Sequence, residues 1–124
     1  MFEERTTVEL GRLGETIAAA YLELQGYVIA ARNVRQGRGE VDLVVTRGDL
    51  TCFVEVRLRR RGRYGTAVES VGRAKQARIM SAAREILRAH AARRGGALRC
   101  DVIAIDYARD GGLVLTHIVD ALRA

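Results

Sequence analysis

The chain has 124 residues, 48% of them hydrophobic and 29% charged, with a formal net charge of +6 and a pI near 10.1. That length suits a single domain spanning residues 1–124, able to bury about two-thirds of its unfolded surface without disulfides or metals. No run reaches the ~18 consecutive apolar residues of a transmembrane helix, and the opening MFEERTTVEL is acidic with no apolar signal core. A cytoplasmic protein without a membrane partner is therefore expected. The basic balance, carried by twenty arginines and the single Lys75, favours an anionic partner, nucleic acid first. Cys52 and Cys100 sit inside apolar strand patterns and read as buried free thiols.

In chain order, Thr6 or Thr7 can cap a helix running to about Gln25, with Glu9 in its first turn and Gly26 as the stop. Its main apolar stripe is Leu10, Leu13, Gly14, Ile17, Tyr21 and Leu24. A second runs Val8, Gly11, Glu15, Ala18 and Leu22. Glu15 thus falls among small and apolar neighbours, where a carboxylate needs a partner. That partner is an arginine or a metal. Residues 27–32 read as a short strand and 33–38 as a polar connection. Residues 39–59, GEVDLVVTRGDLTCFVEVRLR, read as a hairpin turning at Gly48-Asp49, a type II′ turn with glycine first. Alternation predicts Val41, Leu43 and Val45 on one face of the first strand, with Glu40, Asp42 and Val44 on the other. On the second strand Thr51, Phe53, Glu55 and Arg57 share a face, opposite Cys52, Val54, Val56 and Leu58.

The register that follows from the turn sets Arg47 opposite Leu50, Val44 opposite Phe53, Asp42 opposite Glu55 and Glu40 opposite Arg57. Like charges directly opposed on paired strands are destabilising, so two facing carboxylates call for a cation. Mg²⁺ takes oxygen ligands and is commonly held by one or two carboxylates plus waters and phosphates. Asp42 and Glu55 would supply the carboxylates, the Val56 carbonyl a third ligand, and Glu15 a fourth approach from the helix. A metal so held would acidify a bound water and neutralise charge on a phosphodiester, with Arg57 holding the phosphate or stabilising the transition state. The alternative is an ion-pair cluster in which Arg57 neutralises Asp42 and Glu55 and no metal is present.

Beyond the hairpin, Arg59, Arg60, Arg61 and Arg63 with Tyr64 form a basic loop suited to nucleic acid, the arginines for phosphate and the tyrosine for stacking. A second helix is expected over 71–93 behind a Ser70 cap, carrying Lys75 and Arg78 in its first two turns. A strand over 98–105, a turn at 109–112 and a last strand over 113–118 complete the order α-β-β-β-α-β-β. These elements pack as a central mixed β-sheet flanked by helices.

At these residues the sequence resembles a known family. G-x-x-G-E at Gly11–Glu15, Gly26-Tyr27, Arg32-Asn33, GEVDLV from Gly39, FVEVR from Phe53, Tyr64-Gly65, Lys75 and CDVIAI from Cys100 are similar, in order, to the bacterial YraN family. That family looks like a member of the PD-(D/E)xK nuclease superfamily, with the restriction-endonuclease-like fold and kinship to archaeal Holliday junction resolvases. The resemblance implies that Asp42 is the motif aspartate, Glu55 the acidic residue of the (D/E)xK element, Glu15 the first-helix glutamate, and Glu40 an accessory acid. It further implies a Mg²⁺- or Mn²⁺-dependent endonuclease acting on nucleic acid, branched DNA among the substrates, and a homodimer. Two positions depart from the motif. Val41 stands where the superfamily name has proline, and Arg57 where it has lysine. Arginine keeps charge and phosphate fork but is not deprotonated in proteins, and Lys75 is placed to compensate. The alternative function is a nuclease-fold adaptor that binds nucleic acid in repair, recombination or uptake without turnover.

Overall fold

The architecture follows from a computed structural model of the chain, which describes residues 6–36, 39–60, 81, 85 and 96–121. Helix α1 spans Thr7–Leu24, and strands β1 Val28–Gln36, β2 Gly39–Arg47, β3 Leu50–Arg60, β4 Leu98–Tyr107 and β5 Leu113–Ile118 follow. The second helix expected over 71–93 lies outside the described residues, apart from Ser81 and Glu85, which are helical. The strands form one sheet in the order β1-β2-β3-β4-β5. Every neighbouring pair is antiparallel except β3–β4, which is parallel. The protein is thus α/β, built on a five-stranded mixed sheet.

Local chemistry sets the ends of the elements. The Thr6 hydroxyl accepts the Glu9 N–H, as a helix N-cap does. At the other end Gly26 takes φ 91°, its N–H bonds to the Glu23 carbonyl, and the Tyr27 N–H bonds to the Leu22 carbonyl. These two bonds define a Schellman stop, which needs a residue that tolerates the left-handed conformation. Gly48 has φ 60° in the two-residue turn between β2 and β3, and the expected pairs Arg47–Leu50 and Val44–Phe53 form.

Two apolar layers cover the sheet. Under α1, Leu43, Val45, Cys52, Val54, Ile103 and Ile105 meet Ala18, Ala19 and Leu22. On the opposite face Val44, Phe53, Cys100 and Val102 pack with Val41. The buried line of α1 is Gly14, Ala18, Ala19 and Leu22, between the two expected stripes. Val8 and Leu24, from the two expected stripes, are 65% and 85% exposed, and the small Gly14, Ala18 and Ala19 let the helix approach the strands around Leu22. At Gly14 an added Cβ would stand 3.1 Å from Leu58 Cβ and 3.6 Å from Val56 Cγ1. Both cysteines are buried and free.

The sequence reading departs from the structure most around residues 33 and 41. Residues 33–36 continue β1, and the paired strand includes Asn33 at φ 50°, a conformation that asparagine visits more readily than most residues. Val41 packs with Val44 rather than with Leu43, so the period-two alternation reverses between residues 41 and 44. The β1–β2 register itself shifts between Ile29 and Ala31.

Candidate functional site

Glu15, Asn33 and Asp42 meet where β2 and β3 separate beneath α1. The β2–β3 ladder runs from Arg47–Leu50 to Leu43–Val54 and goes no further. The Asp42 carboxylate then accepts the Val56 backbone N–H at 2.8 Å. Asp42 and Glu55 are therefore not the ladder pair that the register predicted. The place coincides with the reversal of β2 alternation between residues 41 and 44, and the aspartate takes the strand N–H that a β2 carbonyl would otherwise accept. Glu40 likewise pairs with Arg35 of β1 rather than with Arg57, and it is exposed.

Glu15 is delivered from α1 by the close seating of Gly14 on Val56 and Leu58. The Asn33 amide donates to the Glu15 carboxylate at 3.4 Å, a long bond. Desolvation, and next the negative charge of Asp42, push the Glu15 carboxyl above its ordinary value. The Asn33 bond opposes this, Glu40 adds to it, and Arg32 opposes it. A carboxyl whose ionisation is made costlier by a neighbouring carboxylate marks a place where a bound cation would be favoured.

Glu55 is 2% exposed. Strand alternation sets Glu55 and Arg57 on the Phe53 face of β3, while Val56 and Leu58 face α1. Glu15 thus approaches the split from the helix side, Asp42 lies within it, and Glu55 belongs to the far side. Among the described residues no group of three or more His, Cys, Asp or Glu is arranged to hold a metal ion. An all-oxygen set of one or two carboxylates still suits Mg²⁺, which completes its shell with waters and substrate phosphate.

Of the expected nucleic-acid contacts, Arg59 and Arg60 are strand residues of β3, paired with Asp106 and Tyr107 of β4. They are not the start of a loop, because parallel pairing with β4 extends the strand past Arg59. Arg61, Arg63, Tyr64, Lys75 and Arg78 lie outside the described residues.

A second polar centre, which sequence reasoning missed, lies under the C-terminal end of α1. Asp101 is fully buried. Arg99 reaches it with Nε to Oδ1 and Nη2 to Oδ2, each at 2.9 Å. His117 Nε2 stands 2.7 Å from Oδ2, and the Asp120 backbone N–H donates to Oδ1 at 2.8 Å. Arg99 also donates to the Tyr27 hydroxyl, and Tyr21 Oη lies 3.0 Å from His117 Nδ1. Burial alone would raise the Asp101 carboxyl; Arg99, the Asp120 N–H, His117 and the Cys52 thiol together hold it below its ordinary value. An ionised carboxylate only accepts, so His117 donates through Nε2, and in its neutral form accepts the Tyr21 hydroxyl hydrogen bond at Nδ1. The same bonds to Asp101 push the Arg99 guanidinium upward, and burial, then Asp101, pushes Cys52 upward. The signal available in the sequence was an Arg-x-Asp pair, Arg99 and Asp101, sharing one face of an otherwise apolar central strand.

Fold and cluster together define a mixed-sheet α/β domain with carboxylates gathered at a split between two central strands. Residues 14–105 match the Uncharacterised protein family UPF0102. The chain belongs to that family, the YraN family of its sequence resemblance. It is 38% identical over 119 residues to a UPF0102 protein of Chlorobium chlorochromatii, covering 94% of this chain and 92% of the relative. It is 45% identical over 114 residues to one from Chloroflexus aurantiacus, covering 91% and 92%, and 41% identical over 116 residues to one from Myxococcus xanthus, covering 94% and 90%. No helix among the described residues is long and apolar enough to cross a membrane.

Proposed function

We propose that this protein has the PD-(D/E)xK endonuclease fold and cleaves nucleic acid, branched DNA included, with Mg²⁺ or Mn²⁺. The observation that carries this reading is the meeting of Glu15 and Asp42 at the split of β2 and β3, next to Val56. In it, Asp42 and Glu15 bind the metal with the Val56 carbonyl beside them, and Glu55, on the other face of β3, would have to turn through the split to join them. When bound, such an ion supplies an acidified water and neutralises charge on the scissile phosphate. Asp42, fixed by the Val56 N–H, is pre-oriented at small entropic cost. Arg57 contributes positive charge to the phosphate.

The test is incubation of the protein with labelled junction, flap and linear DNA in Mn²⁺. The expected result is cleavage that Asp42→Ala abolishes. No products, or products indifferent to Asp42→Ala, would end the catalytic reading.

Arg57 itself favours a second reading, an adaptor that binds nucleic acid without turnover, since arginine does not serve as a general base. Phosphate contacts release counterions, so binding in that case weakens steeply with salt and leaves DNA intact. Arg57→Lys separates the two readings: gain of cleavage places the block at the arginine, and unchanged salt-sensitive binding without products favours the adaptor.

A further inference from the structure

Two of the segments that carry the family resemblance, Gly26-Tyr27 and Cys100-Asp101, take no part in the carboxylate cluster. Tyr27 lines a cavity of about 310 Å³ together with Tyr21, Arg47, Arg99 and His117, and Asp101 stands behind it, bonded to Arg99 and His117. Arg99 uses Nε and Nη2 on Asp101 and Tyr27, and its Nη1 has no acceptor among the described residues. Arg47 stands exposed, with its guanidinium 4.3 Å from the centre of the Tyr27 ring. Arg47 gives one N–H of Nη1 to the Gln25 carbonyl at 3.2 Å, and no carboxylate pairs with it among the described residues. Arg99 and Asp101 cancel in charge, so the cavity keeps the positive charge of Arg47 and unspent guanidinium N–H groups from two arginines.

We infer that this cavity binds a phosphoryl group, at a site separate from Glu15 and Asp42. Guanidinium forks match the oxygens of phosphate in geometry as well as charge. The size lies at the low end of small-molecule sites, roughly 300–1,000 Å³, which suits a phosphate with its sugar rather than an extended ligand. Tyr27 is buried and carries Arg47 over its ring, so it offers no open face to a base. Recognition is therefore of the phosphate, whether it belongs to a nucleic-acid backbone, a strand end or free phosphate.

The experiment is an NMR titration of the full chain with inorganic phosphate, following the Arg47 and Arg99 side-chain N–H signals and the Tyr27 ring. Saturable shifts at these groups are expected. Arg47→Ala, an exposed change that spares the fold, is expected to weaken binding by about tenfold, the size of one charge-assisted hydrogen bond. Arg47→Lys is expected to recover part of that loss. Competition by a short single strand without a terminal phosphate identifies the backbone as the source. Competition only by the 5′-phosphorylated strand identifies a strand end, and competition by neither leaves free phosphate. Asp42→Ala is expected to leave phosphate binding unchanged. If wild type gives no saturable shift, or Arg47→Ala binds as tightly, the cavity is only a polar tie between α1 and the sheet. If Asp42→Ala abolishes the binding, the anion belongs to the carboxylate split. In either case this inference falls while the nuclease reading stands on its own test.

Discussion

The two polar centres under α1 each hold a carboxylate against the sheet and solve opposite problems. Glu15 and Tyr21, the helix residues that reach them, are six positions apart, or about 9 Å along the axis. At the C-terminal end, Asp101 is fully buried yet held low, because Arg99, His117 and the Asp120 N–H satisfy its oxygens. Near the middle of the helix, Glu15 is only half-buried yet held high, by desolvation first and next by the charge of Asp42, with too little from Asn33 and Arg32 to offset them. Burial therefore does not rank these sites; the partners do. The first centre is a closed structural junction. The second pays a standing electrostatic cost, and residues kept at such a cost are candidates for function.

The largest expected effect comes from breaking the closed centre. Asp101→Ala removes the acceptor shared by Arg99, His117 and Asp120 and leaves a cation poorly partnered at the sheet. It is expected to destabilise the fold by about 3–5 kcal/mol, the range for breaking a buried pair from one side, as read by urea denaturation. A loss below about 1 kcal/mol, the scale of an exposed pair, would mean that the junction is not structural.

A smaller effect is expected at the seat of the open centre. Gly14→Leu forces a side chain against Leu58 Cβ, 3.1 Å from where its own Cβ would stand. Overpacking of this kind costs about 1–3 kcal/mol. Because the helix must shift, metal-dependent activity is expected to fall along with stability. Full activity in Gly14→Leu would disconnect Glu15 from the site.

The smallest effect has the opposite sign. Glu15→Gln removes one of two mutually repelling carboxylates and is expected to stabilise the protein at pH 7 by about 0.5 kcal/mol, the scale of an exposed charge pair. The pH dependence follows the same contrast. A carboxyl raised in the folded state, like Glu15, binds protons more readily folded than unfolded, so its destabilising effect vanishes on acidification below the ordinary glutamate range. A carboxyl lowered in the folded state, like Asp101, contributes stability above the ordinary aspartate range, and that stability is lost as pH falls through its folded value. Denaturation midpoints measured from pH 7 downward are therefore expected to show a steeper acid loss in Glu15→Gln than in wild type, since the opposing Glu15 response is gone and that of Asp101 remains. Parallel curves would remove Glu15 from the electrostatic account.

How much of this could be read from the sequence depended on the range of the interaction. Thr6, Gly26 and Gly48 act through residues two to four positions away, and each was legible as a cap or turn. The Val44–Phe53 pairing followed from the turn. Asn33 was not legible, because a left-handed asparagine inside a strand is stabilised by its surroundings, and neither was the reversal of β2 alternation that coincides with Asp42 leaving the expected pairing. Asp101 was overlooked for a similar reason. Its partner His117 arrives from β5, held in turn by Tyr21 of α1, and neither is visible in the apolar pattern CDVIAI. Asp42, Glu15 and Glu55 were recognised by residue type, whereas their relative placement required the strand split.

The account stands most directly on whether the open centre is a cation site. Calorimetric titration of Mn²⁺ into wild type, Asp42→Ala and Arg47→Ala tests it. Saturable binding that Asp42→Ala abolishes and Arg47→Ala leaves intact is the predicted result; no saturable binding to wild type, or binding indifferent to Asp42→Ala, would contradict it.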